Sequence, residues 1–127
     1  MLGNATVEPT LPATDMERAK DFYQNKLGLA LKESNEEAMA MTFAAGNGTS
    51  LVVYKRGDPP KAENTACHFR VSDLEAEVQA LKGKGVVFQE YDFPGLKTVN
   101  SIATMGEIKG AWFKDSEGNI IGITEEA

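Results

Sequence analysis

The sequence has few of the residues from which reactive sites are usually built. Its 127 residues include one cysteine, Cys67, one histidine, His68, and one tryptophan, Trp112. A single thiol excludes an internal disulfide, so nothing ties the chain to an oxidising compartment, and we expect it in the cytoplasm. Adjacent residues of a strand face opposite sides, so Cys67 and His68 cannot form a nucleophile–base pair within one strand.

Long apolar stretches and an excess of positive charge are also missing. No window approaches the roughly 20 apolar residues that a transmembrane helix needs. Residues 1–13 lack the basic and then apolar order of a signal peptide. Acidic residues number 19 against 13 lysines and arginines, for a net charge of −6, and such a surface repels phosphate backbones. We therefore expect neither a membrane nor a nucleic acid as a partner.

What the sequence does contain is an internal repeat. Thr14-Asp15-Met16-Glu17 recurs as Ser72-Asp73-Leu74-Glu75. Both segments match the capping box, in which a hydroxyl side chain caps the helix and a glutamate three residues later reaches back. Apolar residues spaced by three and four follow each box and predict amphipathic helices over about 15–26 and 73–84. Glycines near both predicted ends suit the left-handed residue that follows a helix.

Strand-like segments surround both helices. In the first half they lie at 5–11, 29–33, 38–45 and 50–55. In the second half they lie at 65–71, 86–91 and 119–124, with one further strand that ends at residue 113. The pattern predicts an α+β protein of two βαβββ modules, over about 5–55 and 65–124, joined by a polar linker at 56–64 within one domain of residues 1–127. Residues 93–103 fit neither periodicity and are predicted to form a functional loop, a candidate lid.

Several motifs are shared with a known family. They are Asp15-Met16-Glu17-Arg18-Ala19 followed by Phe22-Tyr23 and Leu27-Gly28-Leu29, then Val71-Ser72-Asp73-Leu74, and finally Ala111-Trp112-Phe113-Lys114-Asp115 with Gly118-Asn119. This set resembles the vicinal oxygen chelate superfamily of glyoxalases, bleomycin-resistance proteins and extradiol dioxygenases. The resemblance implies two modules that form a cupped mixed sheet, and a homodimer. It does not imply one reaction, because a fold hosts many functions.

The resemblance also implies a divalent metal held by four strand positions that face the cup. Register from the motifs assigns these positions to Glu8, Leu51, Ala66 and Gly122. A metal site ordinarily needs three or more protein ligands, and only the glutamate is one. A shift of one residue in the fifth strand would bring Cys67 to the third position, which still leaves too few ligands. We therefore expect no cofactor, with a divalent metal as the alternative.

Other residues are candidates for the ligand-binding cavity of the cup. If Ala66 faces inward, alternation turns His68 and Arg70 inward as well, and Thr10 lies on the strand face of Glu8. His68 is either an acid–base group or an ordinary strand residue. Glu8 and Arg70 either contact a ligand or neutralise each other.

The aromatic pair that follows Ala111 adds one further candidate. Trp112 is either a wall of the cavity or part of the core. Neighbouring Phe113 must face the other way, and the sequence leaves open which of the two faces the cup.

The function that these expectations favour is metal-independent binding of a small molecule in the cup. The alternative is an enzyme, either a glyoxalase-like lyase or isomerase or a dioxygenase-like protein, with Glu8 and His68 as candidate catalytic residues. A module that binds another protein, with its cup filled by its own side chains, is a third possibility.

Overall fold

The computed structural model describes residues 1–126, so that Ala127, the last residue of the predicted domain, lies outside the described residues. The chain divides into two compact units, of which the first spans Met1–Pro59 and the second begins at Pro60. The boundary falls inside the predicted linker at 56–64. Within residues 1–126, no helix has the length and apolar character needed to cross a membrane.

The first unit has the predicted βαβββ order. Its elements are β1 (Thr10–Ala13), α1 (Met16–Asp21), which continues as a π-helical turn over Phe22–Lys26, β2 (Ala30–Asn35), β3 (Ala40–Ala44) and β4 (Ser50–Lys55). The sheet order is β1-β4-β3-β2. β1 runs parallel to β4, and the other pairs are antiparallel, as expected when a helix connects the first strand back to the sheet.

One face of this sheet packs against the helix. Alternate residues of β3 and β4, including Phe43 and Leu51, are almost fully buried. The Phe43 ring lies 5.5 Å from the ring of Tyr23 in the π-helical turn. Phe43 and Leu51 are cross-strand partners and therefore share this face. Thr42, Ser50, Val52 and Tyr54 lie on the other face and are half-buried.

The second unit is larger than predicted. Its elements are β5 (Thr65–Arg70), α2 (Leu74–Gly83), β6 (Asp92–Phe93), β7 (Leu96–Val99), β8 (Ile102–Met105), β9 (Ile108–Lys114) and β10 (Ile120–Glu126). They form a six-stranded sheet in the order β5-β10-β9-β8-β7-β6. β5 runs parallel to β10, and the remaining pairs are antiparallel. The protein is thus a mixed α+β protein, as predicted.

Two predictions for the second unit are wrong. Residues 86–91 form no strand, and their only β-pairing with β9 is a single bridge between Phe88 and Phe113. Residues 93–103 are no irregular loop but part of a meander with two-residue turns. Those turns are Pro94-Gly95, Asn100-Ser101 and Gly106-Glu107, with positive φ at Gly95, at both residues of the second turn and at Gly106. These are the conformations that tight hairpins prefer.

Glu90 fastens this meander. Its carboxylate accepts hydrogen bonds from the hydroxyl of Thr98 at 2.6 Å and from the hydroxyl of Ser101 at 3.0 Å. Both hydroxyl residues are buried. The Thr98 hydrogen bond, supported by those from Ser101, lowers the pKa of Glu90 below its ordinary 4.5 because these bonds favour the charged form.

Both helix caps differ from the prediction by one residue. The capping side chains belong to Asp15 and Asp73, whose carboxylates accept hydrogen bonds from the backbone N–H groups of Arg18 and Ala76. Thr14 and Ser72 precede the caps. Aspartate is as good a cap as a hydroxyl residue, and its charge also favours the positive end of the helix. At α2, Glu125 adds a second acceptor, to the N–H of Leu74 at 2.8 Å.

In β5, β9 and β10, the odd-numbered residues form the helix-covered face of the second sheet. Phe113 and Ile121 are buried cross-strand partners on this face. The Phe113 ring contacts Phe88 at 5.5 Å, and Lys82 of α2 lies over Phe88. Cys67 pairs with Ile121 on the same face. Burial, with a smaller contribution from Asp115, raises the pKa of the Cys67 thiol to about 11 because the charged thiolate is poorly solvated there.

Candidate functional site

Each unit has a sheet face that no helix covers, and the candidate residues lie mainly on these two faces. The first open face is the side of the four-stranded sheet that carries Thr10, Ser50 and Val52. Thr10 pairs with Val52 across the parallel strands. Glu8 lies two residues before Thr10 on the same side, and its carboxylate accepts a hydrogen bond of 2.5 Å from the Ser50 hydroxyl. Glu8 is thus an exposed carboxylate in a short polar row.

The position predicted for Leu51 is wrong. Its side chain is 2% exposed and lies on the helix-covered face with Phe43, not on the first open face. The residue of β4 that meets Glu8 is Ser50. The register error is one residue, which reverses the direction of a strand side chain. A serine in place of a leucine does not restore a carboxylate or imidazole ligand.

The second open face is the opposite side of the six-stranded sheet from α2. Gly122 of β10 pairs with His68 on one side and with Trp112 on the other. His68 is exposed, and Trp112 is half-buried. The open question about the aromatic pair is thereby settled within this unit: Phe113 packs in the core and Trp112 faces away from it.

Two glycines make room for the indole of Trp112. A methyl group on Gly110 would lie 3.0 Å from Cη2 of Trp112, and one on Gly122 would lie 3.3 Å from its Nε1. Such distances are closer than ordinary carbon contacts. The indole therefore lies close to the backbone of β9 and β10. It can do so because Gly110 and Gly122 have no side chains beneath it. The same methyl on Gly122 would also approach Cβ of His68 at 3.3 Å.

Tyr91 closes one side of this aromatic shelf, by which we mean Trp112 with Gly110 and Gly122 beneath it. The Tyr91 ring meets the indole edge to face, with centroids 5.6 Å apart and planes at 72°. Such edge-to-face pairs are favourable and fix the orientation of both rings. Burial raises the pKa of the Tyr91 phenol above its ordinary 10.0, so it stays protonated at neutral pH.

Arg70 has a partner other than the one considered from the sequence. Its guanidinium donates a hydrogen bond of 2.8 Å to Glu126, and both side chains are largely exposed. Glu8 accepts its hydrogen bond from Ser50. An exposed ion pair contributes little to stability, typically about 0–1 kcal/mol. We expected Glu8, Thr10, His68 and Arg70 to line one cavity. Because the first two belong to one unit and the last two to the other, this stays a prediction.

The residues at the four metal positions do not fit a divalent ion. Glu8 alone offers a carboxylate, Ala66 has no donor, and Leu51 is in the core. Gly122 has no side chain to donate, and a ligand side chain there would begin 3.3 Å from the indole nitrogen of Trp112 and crowd it. Among residues 1–126, no group of three or more histidine, cysteine, aspartate or glutamate side chains is arranged to hold a metal.

The sequence did not predict the roles of Gly110 beneath the indole and of Tyr91 beside it. Gly110 precedes Trp112 by two residues on the same strand face, a spacing that signals close packing of a large side chain over the strand. Tyr91 carried no such signal, because its approach to Trp112 depends on how the segment after α2 lies along β9. Asp115 and Asn119 flank the turn between β9 and β10, and the Asp115 carboxylate accepts a hydrogen bond from Nδ2 of Asn119 at 2.8 Å.

Comparison with solved structures shows the same fold in several proteins. A glyoxalase/bleomycin resistance protein from Streptomyces sp. CB03234 is 27% identical, with 90% of this chain and 94% of that chain covered and a TM-score of 0.63. An antibiotic binding protein from the same organism is 24% identical, with 98% of each chain covered and a TM-score of 0.69.

A third structure is that of a fosfomycin resistance protein from Listeria monocytogenes, a mutant in complex with Mn(II) and 1S,2S-dihydroxypropylphosphonic acid. It is 16% identical, with 94% of this chain and 88% of that chain covered and a TM-score of 0.69. A search of curated proteins gave no match. The family model described as Glyoxalase/Bleomycin resistance protein/Dioxygenase superfamily matches residues 5–123. Since this match spans nearly the whole sequence, the chain belongs to that superfamily.

Proposed function

We propose that this protein binds a flat small molecule against the aromatic shelf of its second unit, without a divalent metal. The observation that carries the proposal is the position of Trp112 over Gly110 and Gly122. A large ring held flat on a sheet offers a broad apolar contact surface at low cost in side-chain entropy. Pockets for small molecules are typically lined by such aromatic groups with a few polar residues near them.

The polar groups around the shelf suggest what else the ligand carries. His68 lies beside Gly122 on the same face, and Arg70 follows two residues later. One of the five guanidinium donors of Arg70 bonds Glu126, which leaves others to meet a carboxylate or phenolate. We therefore favour a planar ligand with an acidic group. An antibiotic-binding relative with the same fold supports a binding function of this kind.

Gly122 lies both at an implied metal position and beneath the indole of Trp112, so it relates the binding proposal to metal independence. Because a methyl group at position 122 would already lie 3.3 Å from the indole nitrogen, a metal ligand at this position would compete with the indole for space. The sequence has the glycine. This supports binding through the shelf rather than through a metal, and it makes metal independence a direct test of the proposal.

The test is a fluorescence titration, since Trp112 is the single tryptophan. 2-Naphthoate should quench its emission saturably, whereas cyclohexanecarboxylate, which is not flat, should bind much more weakly. Dialysis against EDTA or addition of Mn²⁺ should change the affinity less than twofold. Calorimetry should show binding about tenfold weaker for Trp112→Ala, equivalent to about 1.4 kcal/mol, and near normal for the control Val87→Ala, an exposed position.

Three outcomes would replace the proposal. Binding that requires Mn²⁺ would indicate a metal site built from other residues. Turnover of a methylglyoxal–glutathione adduct or of a catechol that EDTA abolishes would establish a metal enzyme. Turnover that survives EDTA but disappears in His68→Ala or Glu8→Gln would establish a metal-free enzyme with those residues as catalysts.

We also propose that the protein works as a homodimer in the cytoplasm. Met105 and Ile108 face each other across β8 and β9 and remain 38% and 41% exposed, and a second copy would remove such apolar surface from water. The free thiol of Cys67 is compatible with a reducing compartment. Light scattering at micromolar concentration should give twice the chain mass of 13.7 kDa, and a value near the chain mass would refute the dimer.

A further inference from the structure

The six-stranded sheet is wider than the single helix that covers it. A helix with its side chains is about 10 Å across, and strands are spaced about 4.8 Å apart, so one helix covers about two strands. α2 packs against β9 and β10. On the same face, β7 and β8 extend beyond the helix and leave a cleft of about 570 Å³ beside it. Sites for small molecules are typically about 300–1,000 Å³.

One row of the cleft floor is cationic. Thr104 of β8 lies opposite Lys109 of β9, and the register of β7 with β8 places Lys97 on the other side of Thr104. Two ammonium groups thus flank one hydroxyl, on strands whose outer members are about 10 Å apart. Within residues 1–126, neither lysine forms an ion pair. The row offers two ammonium groups and a hydrogen-bond donor in one line, with Glu125 of β10 next to Lys109 at its end.

The next row of the floor is apolar. Val99 and Ile102 are cross-strand partners of β7 and β8. Val99 is 64% exposed, which leaves its methyl groups accessible from the cleft. On the helix side, Glu75 and Gln79 lie four residues apart on α2 and form the opposite wall. Glu75 repels an anion from that wall, so an acidic ligand group is favoured at the lysine row.

We propose that this cleft is a second ligand site, for a small amphipathic anion. The carboxylate or phosphate group lies between Lys97 and Lys109 and accepts from Thr104, and the apolar body lies over Val99 and Ile102. The site lies on the face opposite the aromatic shelf, because it uses odd-numbered residues of β9 whereas Trp112 is even-numbered. It does not depend on the function proposed for the shelf.

The test is a titration of ¹⁵N-labelled protein followed by NMR. Octanoate should shift the amide signals of residues 97–109 and 75–79 saturably and leave the indole N–H signal of Trp112 in place. Octyl phosphate in a second titration shows whether a phosphate is preferred to a carboxylate. Octanol and octyltrimethylammonium, which share the apolar chain but lack the negative charge, should bind at least tenfold more weakly.

Two pairs of variants locate the site. Lys97→Met combined with Lys109→Met should weaken octanoate binding at least tenfold, whereas Lys114→Met, which removes one positive charge from the other face of β9, should change it less than twofold. Val99→Asp places a carboxylate on the apolar row and should also weaken binding at least tenfold. Its control is Val87→Asp, at a residue that is 77% exposed and does not line the cleft.

The proposal is overturned if octanoate shifts only signals around Trp112, if octanol binds as well as octanoate, or if Lys114→Met weakens binding as much as the double variant does. Should the double lysine variant fail to fold, the comparison of Val99→Asp with Val87→Asp decides, since both positions are exposed. Equal affinity in these two variants would show that the cleft holds no ligand.

Discussion

The two units have similar helix-covered faces and different open faces. On the helix-covered side, each sheet buries an aromatic pair at 5.5 Å, Tyr23 with Phe43 in the first and Phe88 with Phe113 in the second. On the open side, the first sheet shows a carboxylate with small and hydroxyl residues around Glu8, whereas the second shows an indole and an imidazole. The repeated faces provide the core, and the two units differ on the face that their own helix does not cover.

The largest expected effect comes from truncating neighbouring residues on opposite faces of the second sheet, which tests whether only the helix-covered face belongs to the core. Phe113→Ala should lower the free energy of unfolding by about 3–5 kcal/mol, because it empties a buried site. Trp112→Ala should lower it by about half as much or less, because the indole is only half-buried. Urea denaturation measures both, and an equal or larger loss for Trp112→Ala would show that the shelf is part of the core.

A substitution under the indole tests whether the second open face depends on its glycines. Gly122→Val should force Trp112 off the sheet, move its fluorescence emission to longer wavelength and weaken 2-naphthoate binding about tenfold. Overpacking of this kind costs about 1–3 kcal/mol of stability. Gly57→Val is the control, since a side chain there meets open space. Unchanged emission in Gly122→Val would contradict the placement of the indole.

The meander that distinguishes the second unit should respond to pH. Because the folded state lowers the pKa of Glu90 below 4.5, its contribution to stability is complete above the unfolded pKa and is lost as the pH falls through the folded value. Glu90→Gln should therefore be less stable than the wild type at pH 7, and the difference should shrink below about pH 4.3. Urea midpoints across this range measure it.

The control for the pH series is Glu63→Gln, an exposed linker glutamate. It should track the wild type at every pH. A constant difference between Glu90→Gln and the wild type from pH 7 to pH 3 would mean that the carboxylate charge of Glu90 contributes nothing to the meander.

The smallest effects are expected where the two units are most alike. Asp15→Ala and Asp73→Ala each remove a helix cap and should each cost about 1 kcal/mol. The loss at Asp73 should be the smaller, because Glu125 still bonds the N–H of Leu74. Urea denaturation of both variants, with Glu125→Gln added to Asp73→Ala, measures the difference. A larger loss for Asp73→Ala alone would contradict it.

Local signals predicted most of the first unit and the helix of the second. Periodicity located both helices, and strand-like segments at 38–45 and 50–55 located β3 and β4. The meander was missed because β6 has two residues and β7 and β8 have four each, too few for an alternation to be visible. The turn residues at 94–95, 100–101 and 106–107 recur every six residues, which is the signal that was available.

The candidate site was predictable only within a strand. Alternation correctly placed His68 and Arg70 on one side of β5 and Cys67 on the other, whereas the register shift between Ile120 and Ile121 leaves Ala66 outside the paired register. It failed for Leu51, because the register between strands depends on where each strand begins. The partners of Arg70 and Tyr91 depend on contacts that are distant in sequence, Arg70 with Glu126 and Tyr91 with Trp112, and no local pattern encodes them.

The half-buried thiol of Cys67 can report on opening of the second unit. With its pKa raised to about 11, the folded thiol is almost wholly protonated at pH 8 and reacts slowly with alkylating reagents, since the thiolate is the nucleophile. An unfolded chain would expose a thiol of ordinary acidity. The alkylation rate at pH 8 therefore reports how often the helix-covered face of the second sheet opens to solvent around the Cys67 sulfur. No engineered probe is needed.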